Sequence, residues 1–160
     1  MKKHLVVHPQ VATTGALAFC AADKQGKAAQ MDELLWDKEF KARAFDPDQC
    51  WTGGTCEKTN ALAEELQLDV PKFKEDMKAC QQQVQGDMKE LQKFGVSATP
   101  GFFINGRFIS GAVPIDNFVA VIDEEMKKAD EKIAAGTPAG QYYQQWVIDK
   151  GLKTLEPVKQ

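Results

Sequence analysis

Four cysteines are the side chains of this sequence that could carry covalent chemistry: Cys20, Cys50, Cys56 and Cys80. None of them forms a Cys-x-x-Cys pair, the spacing typical of thiol–disulfide redox centres. Cys50 and Cys56 are a candidate redox pair, because a helix predicted to begin near Glu57 would place Cys56 in its first turn, where a thiolate is stabilised. The five intervening residues cannot hold both sulfurs at one helix start as two residues can. The alternatives are that Cys50 and Cys56 form a local disulfide that closes the loop between them, or that both are free thiols.

Metal and cofactor chemistry is not expected. Four cysteines could form a tetrahedral zinc site, but no Cys-x₂₋₄-Cys spacing occurs, and His4 and His8 lie in or beside a predicted strand. The sequence also contains no GxGxxG or Walker motif and no Ser/His/Asp arrangement. We therefore predict neither a metal ion nor a cofactor.

The most informative segment is residues 96–111, which predicts a β-hairpin preceded by a proline. Two short apolar runs flank Asn105-Gly106, and both of these residues tolerate the positive φ angles of a type I′ turn. Thr99-Pro100 stands just before the first run. X-Pro is the only kind of peptide bond that becomes cis at a modest cost, about 0.5–1 kcal/mol. A proline at the start of a strand also donates no hydrogen bond to the sheet.

Composition and charge are those of an ordinary globular domain. The 160 residues are 43% apolar and 27% charged, and the net charge is −3. Because nucleic acids and anionic membranes attract clustered Lys and Arg, neither is expected as a partner. No apolar run approaches the roughly 20 residues that span a bilayer. A signal peptide is not expected either, because His8, Pro9 and Gln10 interrupt the apolar residues that follow Met1–Lys3.

The elements that must position these residues are mostly helices. Asp69 is a predicted N-cap of the longest helix, Pro71 is tolerated in its first turn, and Gly95 is placed to end it. The apolar positions of this helix recur every three or four residues. The full prediction is a strand at Leu5–Val7, helices over about 11–23, 27–40, 57–67, 69–94 and 115–135, the hairpin between the last two, and a final helix within 141–155.

Three segments together resemble the DsbA-like thiol–disulfide oxidoreductases of the thioredoxin superfamily. The segment from Gly95 to Glu125 is similar to the family's cis-proline and hairpin, followed by its closing helix. The segment from Gln10 to Trp36 is similar to the family's helical insertion, and Leu5–Pro9 resembles the strand that follows the redox helix. The resemblance implies an α/β, helix-rich, thioredoxin-like fold. Residues 1–136 would form the domain, with a helical insertion over about 11–94, and residues 137–160 would form a helical tail packed on it.

The resemblance also indicates what this sequence lacks. The family's opening strand and its Cys-x-x-Cys helix have no counterpart, so the domain is expected to be incomplete at its N-terminus. In the family, the opening strand lies between the strand after the redox helix and the hairpin. Its absence would leave strand edges with unpaired backbone groups, and such edges recruit other strands. Two hypotheses account for this absence. Either the sequence is a fragment of a longer chain, or the gap is filled by a second copy, a strand-donating partner or a rearranged Leu5–Val7 strand.

Disulfide bonds become more specific predictions once the resemblance is considered. It places the helices that carry Cys20 and Cys80 together in the insertion, and a bond there would close a loop of about 60 residues. Cys50 and Cys56 would form a local bond. Free, buried thiols remain the alternative for each pair, because unpaired cysteine is among the most buried residue types.

The resemblance implies a partial function. Thr99 and Pro100 would bind the substrate, with the Thr99 backbone pairing with an extended, cysteine-containing polypeptide as an added strand. Without a Cys-x-x-Cys pair, the chain as written is expected to be inactive in disulfide exchange. A non-catalytic module that binds a peptide or protein at the sheet edge is the alternative. The family resemblance implies a periplasmic or other extracytoplasmic location.

Overall fold

The computed structural model describes residues 2–41 and 55–153. The chain divides into two compact units, Met1–Glu90 and Leu91–Gln160, and the division falls inside the last turn of the longest helix. The sequence instead predicts a boundary between residues 136 and 137, where the family-like domain would end and the tail begin. That boundary stays a prediction. No helix among the described residues is long and apolar enough to cross a membrane.

The first unit is built from helices. In chain order these are α1 (Pro9–Asp23), α2 (Ala28–Leu34) with a π-helical continuation (Leu35–Phe40), α3 (Glu57–Glu65) and α4 (Val70–Lys93). Their apolar faces enclose one core, whose largest fully buried side chains are Leu17, Met31, Phe73 and Cys80. A disulfide between Cys20 and Cys80 joins α1 to α4, with an S–S distance of 2.01 Å.

Both ends of α4 agree with the sequence prediction. The Asp69 carboxylate accepts a hydrogen bond from the backbone N–H of Lys72 at 3.0 Å, as expected of an N-cap. Gly95 has a φ angle of +66°, the left-handed conformation that glycine adopts more readily than other residues. Local side-chain chemistry therefore determines where this helix begins and ends.

The predicted strand at Leu5–Val7 is wrong. Among the described residues the strands are those of the hairpin, and residues 2–6 belong to no regular element. The segment is held by α4 instead: the His4 N–H donates to the Asp87 carboxylate at 3.1 Å, and the Lys3 ammonium donates to Asp87 and Glu90 at 3.2 and 2.6 Å. Because a strand needs a neighbouring strand to satisfy its backbone, an apolar, β-branched run without one does not form a ladder.

Acidification should destabilise the first unit through His4. Burial lowers the pKa of His4 below its ordinary value of 6.5, and its ring packs edge-on against Phe19 at 5.4 Å. The unfolded chain therefore binds a proton more readily than the folded chain, and stability falls as the pH drops through and below about 6.5. Urea unfolding at pH 7.5 and pH 5.5 measures this loss.

Two variants isolate the contribution of His4. His4→Phe keeps an aromatic ring against Phe19 but cannot titrate, so the loss of stability between the two pH values should shrink. His8 is exposed, and His8→Gln is the matched control. An unchanged pH dependence in His4→Phe would assign the acid sensitivity to other groups.

The described part of the second unit contains the hairpin and three helical segments. β1 (Gly101–Ile104) pairs antiparallel with β2 (Arg107–Ser110), and α5 (Ile115–Ala134) follows. The sequence predicts a single helix within 141–155, and this prediction is wrong. The chain forms a 3₁₀ turn at Ala139–Gln141 and a π-helical segment at Tyr143–Asp149. The latter packs on the end of α5, because the Trp146 indole N–H donates to the Thr137 hydroxyl at 3.2 Å and Lys132 lies 4.2 Å from the ring centre.

The hairpin turn is the predicted one. Asn105 and Gly106 have φ angles of +48° and +89°, and Ile104 pairs directly with Arg107. Gly106→Ala should destabilise the second unit by about 1–2 kcal/mol, because a Cβ atom is strained in this conformation. Chemical denaturation of both proteins measures the difference. Gly140→Ala is the control, since a Cβ atom at Gly140 meets nothing within 4 Å and its φ angle is not positive. Equal losses in the two variants would contradict the explanation.

Candidate peptide-binding site

The turn before β1 presents an exposed stretch of backbone. Val96 is buried and anchors the turn, whereas residues 97–100 are exposed. The Thr99–Pro100 peptide bond is cis. The Pro100 carbonyl accepts a hydrogen bond from the Gly111 N–H at 2.8 Å, which extends the hairpin ladder by one pair. The Thr99 backbone makes no hydrogen bond to the described part of the chain.

The hairpin register determines which backbone groups of β1 point away from β2. In an antiparallel pair, hydrogen-bonded and non-hydrogen-bonded residue pairs alternate. Since Pro100 is hydrogen-bonded to Gly111, the pairs Gly101–Ser110 and Phe103–Phe108 are of the non-hydrogen-bonded kind. The N–H and C=O groups of Gly101 and Phe103 therefore point outward. We call these groups the open edge of β1, because no strand other than β2 pairs with it within residues 2–41 and 55–153.

Aromatic side chains lie on both sides of the open edge. On one side of the hairpin, the Phe102 ring packs perpendicular to that of Phe118 in α5, with centres 4.9 Å apart. On the other side, Phe103 contacts Phe94 and Phe108, with ring centres 5.9 and 5.0 Å away. We call this second group the aromatic face. Phe102, Phe103 and Phe108 remain 40–44% exposed, so a ligand at the edge meets apolar surface on either side.

Gly101 makes room within the aromatic face. A Cβ atom at this position would lie 3.0 Å from the Phe108 ring and 3.5 Å from a Val96 methyl group. The first distance is shorter than an ordinary carbon–carbon contact, so the glycine allows the Phe108 ring to approach the strand. The open edge consequently has a side chain at Phe103 and none at Gly101.

Charges lie at the other end of the hairpin and attach it to α5. Arg107 donates hydrogen bonds to Glu124 and Glu125, and Lys128 donates to Glu125 at 2.7 Å. The hydrogen bond from Arg107 lowers the pKa of Glu124 and raises that of the guanidinium. Glu125 is only 5% exposed, a burial that its two cationic partners compensate. Sequence reasoning missed the burial of Glu125.

Comparison with known proteins gives one family. Residues 5–123 match the DSBA-like thioredoxin domain. The chain belongs to this family. No curated protein and no solved structure matches it. The family match confirms the predicted resemblance and fold class, and the DsbA-like domain is accordingly helix-rich with a small antiparallel sheet.

The cysteines of this DsbA-like domain are placed as follows. Cys20 and Cys80 form the predicted disulfide, which is confirmed, and both are at most 3% exposed. Cys56 directly precedes α3 and is also disulfide-bonded, while Cys50 lies outside the described residues. The pair Cys50 and Cys56 as a redox centre therefore stays a prediction. No group of three His, Cys, Asp or Glu side chains in the described part of the DsbA-like domain could hold a metal ion.

Proposed function

We propose that this DsbA-like domain binds extended, cysteine-containing polypeptides and carries the peptide-binding half of a thiol–disulfide exchange site. The observation that carries the proposal is the Thr99 backbone, which makes no hydrogen bond to residues 2–41 and 55–153 and leads through Pro100 into the open edge of β1. An extended peptide bound there gains main-chain hydrogen bonds, the usual basis of strand addition. Thr99 and Pro100 are the substrate-binding residues of this proposal.

The same proposal holds that these 160 residues do not turn over disulfides. Exchange needs one thiolate to attack a substrate sulfur and a second thiol to resolve the mixed disulfide. Cys20 and Cys80 are buried in a disulfide and cannot reach a substrate. Cys50 and Cys56 lack the spacing that gives a Cys-x-x-Cys pair its reactivity.

An insulin-reduction assay tests the catalytic part of the proposal. With dithiothreitol as the reductant, the chain should precipitate insulin no faster than dithiothreitol alone. Insulin reduction by the chain would contradict the proposed inactivity. If the double substitution Cys50→Ser, Cys56→Ser abolished that reduction, the chemistry would belong to those two cysteines. A thioredoxin-type oxidoreductase is the positive control.

A second candidate function is a non-catalytic protein-binding module. The feature that favours it is the open edge of β1 with exposed aromatic rings on both sides. Either a strand from another protein or a second copy of the chain would satisfy the unpaired groups. Size-exclusion chromatography with light scattering measures the molar mass over a hundredfold range of protein concentration. A mass that rises with concentration indicates self-association, and a constant monomer mass indicates that any partner is a different protein.

We further propose a periplasmic or other extracytoplasmic location. Proteins of the family are typically extracytoplasmic, and disulfides such as Cys20–Cys80 persist in oxidising compartments. Alkylation of the thiols in freshly lysed source cells tests this. Protection of Cys20 and Cys80 from the reagent is expected, and their full labelling would argue for a reducing compartment.

A further inference from the structure

The hairpin turn contains two neighbouring groups that can react with each other. They are the side-chain amide of Asn105 and the backbone nitrogen of Gly106, whose attack on the amide carbon closes a five-membered ring. Of the three asparagines in the sequence, Asn105 alone is followed by glycine, and Asn60 and Asn117 precede residues with side chains. Because glycine has no Cβ atom, its backbone nitrogen is the least hindered of any residue.

Neither reacting group is occupied by another contact in residues 2–41 and 55–153. Strand pairing ends at Ile104 and Arg107, so the Gly106 N–H lies outside the ladder, and it makes no other backbone hydrogen bond there. The Asn105 side chain likewise makes no hydrogen bond to this part of the chain. Gly106 is exposed and Asn105 is half-buried, so water reaches both groups.

We propose that Asn105 is a modification site, converted to isoaspartate and aspartate at a rate set by opening of the hairpin turn. The Gly106 nitrogen gives its proton to hydroxide and bonds to Cγ of Asn105, and the amide nitrogen leaves as ammonia with a proton from water. A water molecule then opens the succinimide ring at either carbonyl group. One water is consumed and one ammonia is released, with no oxidation or reduction. The proposal is independent of peptide binding.

The folded turn slows this reaction. Ring closure requires rotation about the Cα–C bond of Asn105, because Cβ, Cγ and the Gly106 nitrogen must come into one plane. The φ angles of +48° and +89° belong to a type I′ turn, which the pairing of Ile104 with Arg107 holds in place. The ring therefore forms from the open turn, and the observed rate is proportional to the population of that open form.

The segment after α5 restricts this opening. A Cβ atom at Gly106 would lie 3.9 Å from a Val147 methyl group, so the π-helical segment Tyr143–Asp149 packs beside the turn. Trp146 in turn fastens this segment to the end of α5. The segment lies beyond residue 123, where the family match ends. Val147 is therefore a restraint from outside the matched domain.

Conversion of Asn105 would alter the hairpin permanently. In isoaspartate the main chain runs through Cβ and is one carbon longer, and the two-residue type I′ turn has no room for that carbon. Both products also carry a negative charge that asparagine lacks. The pairing of Ile104 with Arg107 would be lost, so the reaction limits the lifetime of the hairpin.

Peptide mapping by mass spectrometry tests the proposal. The 160-residue chain is incubated at pH 8 and 37 °C, and samples taken over several weeks are digested with trypsin. Cleavage after lysine and arginine places each asparagine in its own peptide, and that of Asn105 runs from Phe94 to Arg107. Its mass should rise by the difference between an amide and an acid, and the isoaspartyl form should elute separately. Asn60 and Asn117 are the internal references.

Matched variants measure the control by the turn. Val147→Ala should speed the conversion by about two- to fivefold, as expected for the loss of one partly buried apolar contact. Ile148→Ala, at the exposed neighbouring position, is the control and should leave the rate unchanged. A synthetic peptide of residues 94–107 lacks the folded hairpin and should convert faster than the chain by about tenfold or more. Far-ultraviolet circular dichroism verifies the folding of each variant.

Each outcome supports or overturns the proposal. Preferential conversion of Asn105, slower in the folded chain than in the peptide and faster in Val147→Ala, supports it. Conversion of Asn105 no faster than that of Asn60 and Asn117 overturns the modification site. Equal rates in the folded chain and the peptide, or in Val147→Ala and the unaltered chain, overturn the control by the turn.

Discussion

Removal of the Cys20–Cys80 disulfide should lower the free energy of unfolding of the first unit by about 4 kcal/mol. The two cysteines are 60 residues apart, so the bond excludes many extended conformations of the unfolded chain. Both side chains are also buried, and α1 and α4 have no other covalent connection than the intervening chain. A domain of this size has a total stability of only about 5–15 kcal/mol. The double variant Cys20→Ala, Cys80→Ala should therefore be close to unfolding at 37 °C.

Urea denaturation without reductant measures this effect, with circular dichroism as the probe. The control is the double variant Cys50→Ala, Cys56→Ala. A bond between these cysteines would close a much shorter loop, so its loss should cost less. If the two double variants lose the same stability, loop length does not explain the contribution of Cys20–Cys80.

Phe73→Ala should cost about 3–5 kcal/mol. Phe73 is fully buried on α4 and is the largest completely buried side chain among the described residues. Its truncation removes apolar contacts and leaves a cavity that the surrounding helices, held by the Cys20–Cys80 disulfide, cannot readily close. The midpoint of urea unfolding should fall accordingly, with an unchanged slope if the transition remains two-state.

Phe40→Ala is the matched control for Phe73→Ala. Phe40 belongs to the same unit, packs on Trp36 and is 51% exposed. Because half of its surface is already in water, its truncation should cost no more than about 1 kcal/mol. If Phe40→Ala lowered the free energy of unfolding as much as Phe73→Ala does, burial would not explain the difference expected between the two positions.

The sequence predicts well the elements whose signals are local. Asp69 and Gly95 mark the ends of α4, and Asn105-Gly106 marks the hairpin turn, because each acts on backbone groups within a few residues. The Cys20–Cys80 bond was different. The residues supplied only an even number of cysteines, and the pairing followed from the family resemblance. The candidate site combines both kinds of information: the hairpin is local, and the role of Thr99 comes from the family.

The wrong predictions concern segments whose partners are distant in the sequence. Leu5–Val7 has the composition of a strand, but backbone contacts with Asp87 hold this part of the chain beside α4. Glu125 is buried because Arg107, on the hairpin, reaches it. Neither partner can be recognised from the local pattern. The π-helical segments also lack a local signal, since their apolar residues fit an ordinary α-helix equally well.

The open edge of β1 also affects how the purified protein behaves. Its apolar run, Phe102 to Ile104, is uncharged and rich in β-forming residues, the composition from which cross-β aggregates grow. Pro100 at one end and Arg107 at the other interrupt this stretch, as gatekeeper residues do. These two residues are therefore expected to slow any aggregation that begins at the hairpin, and their substitution by apolar residues is expected to speed it.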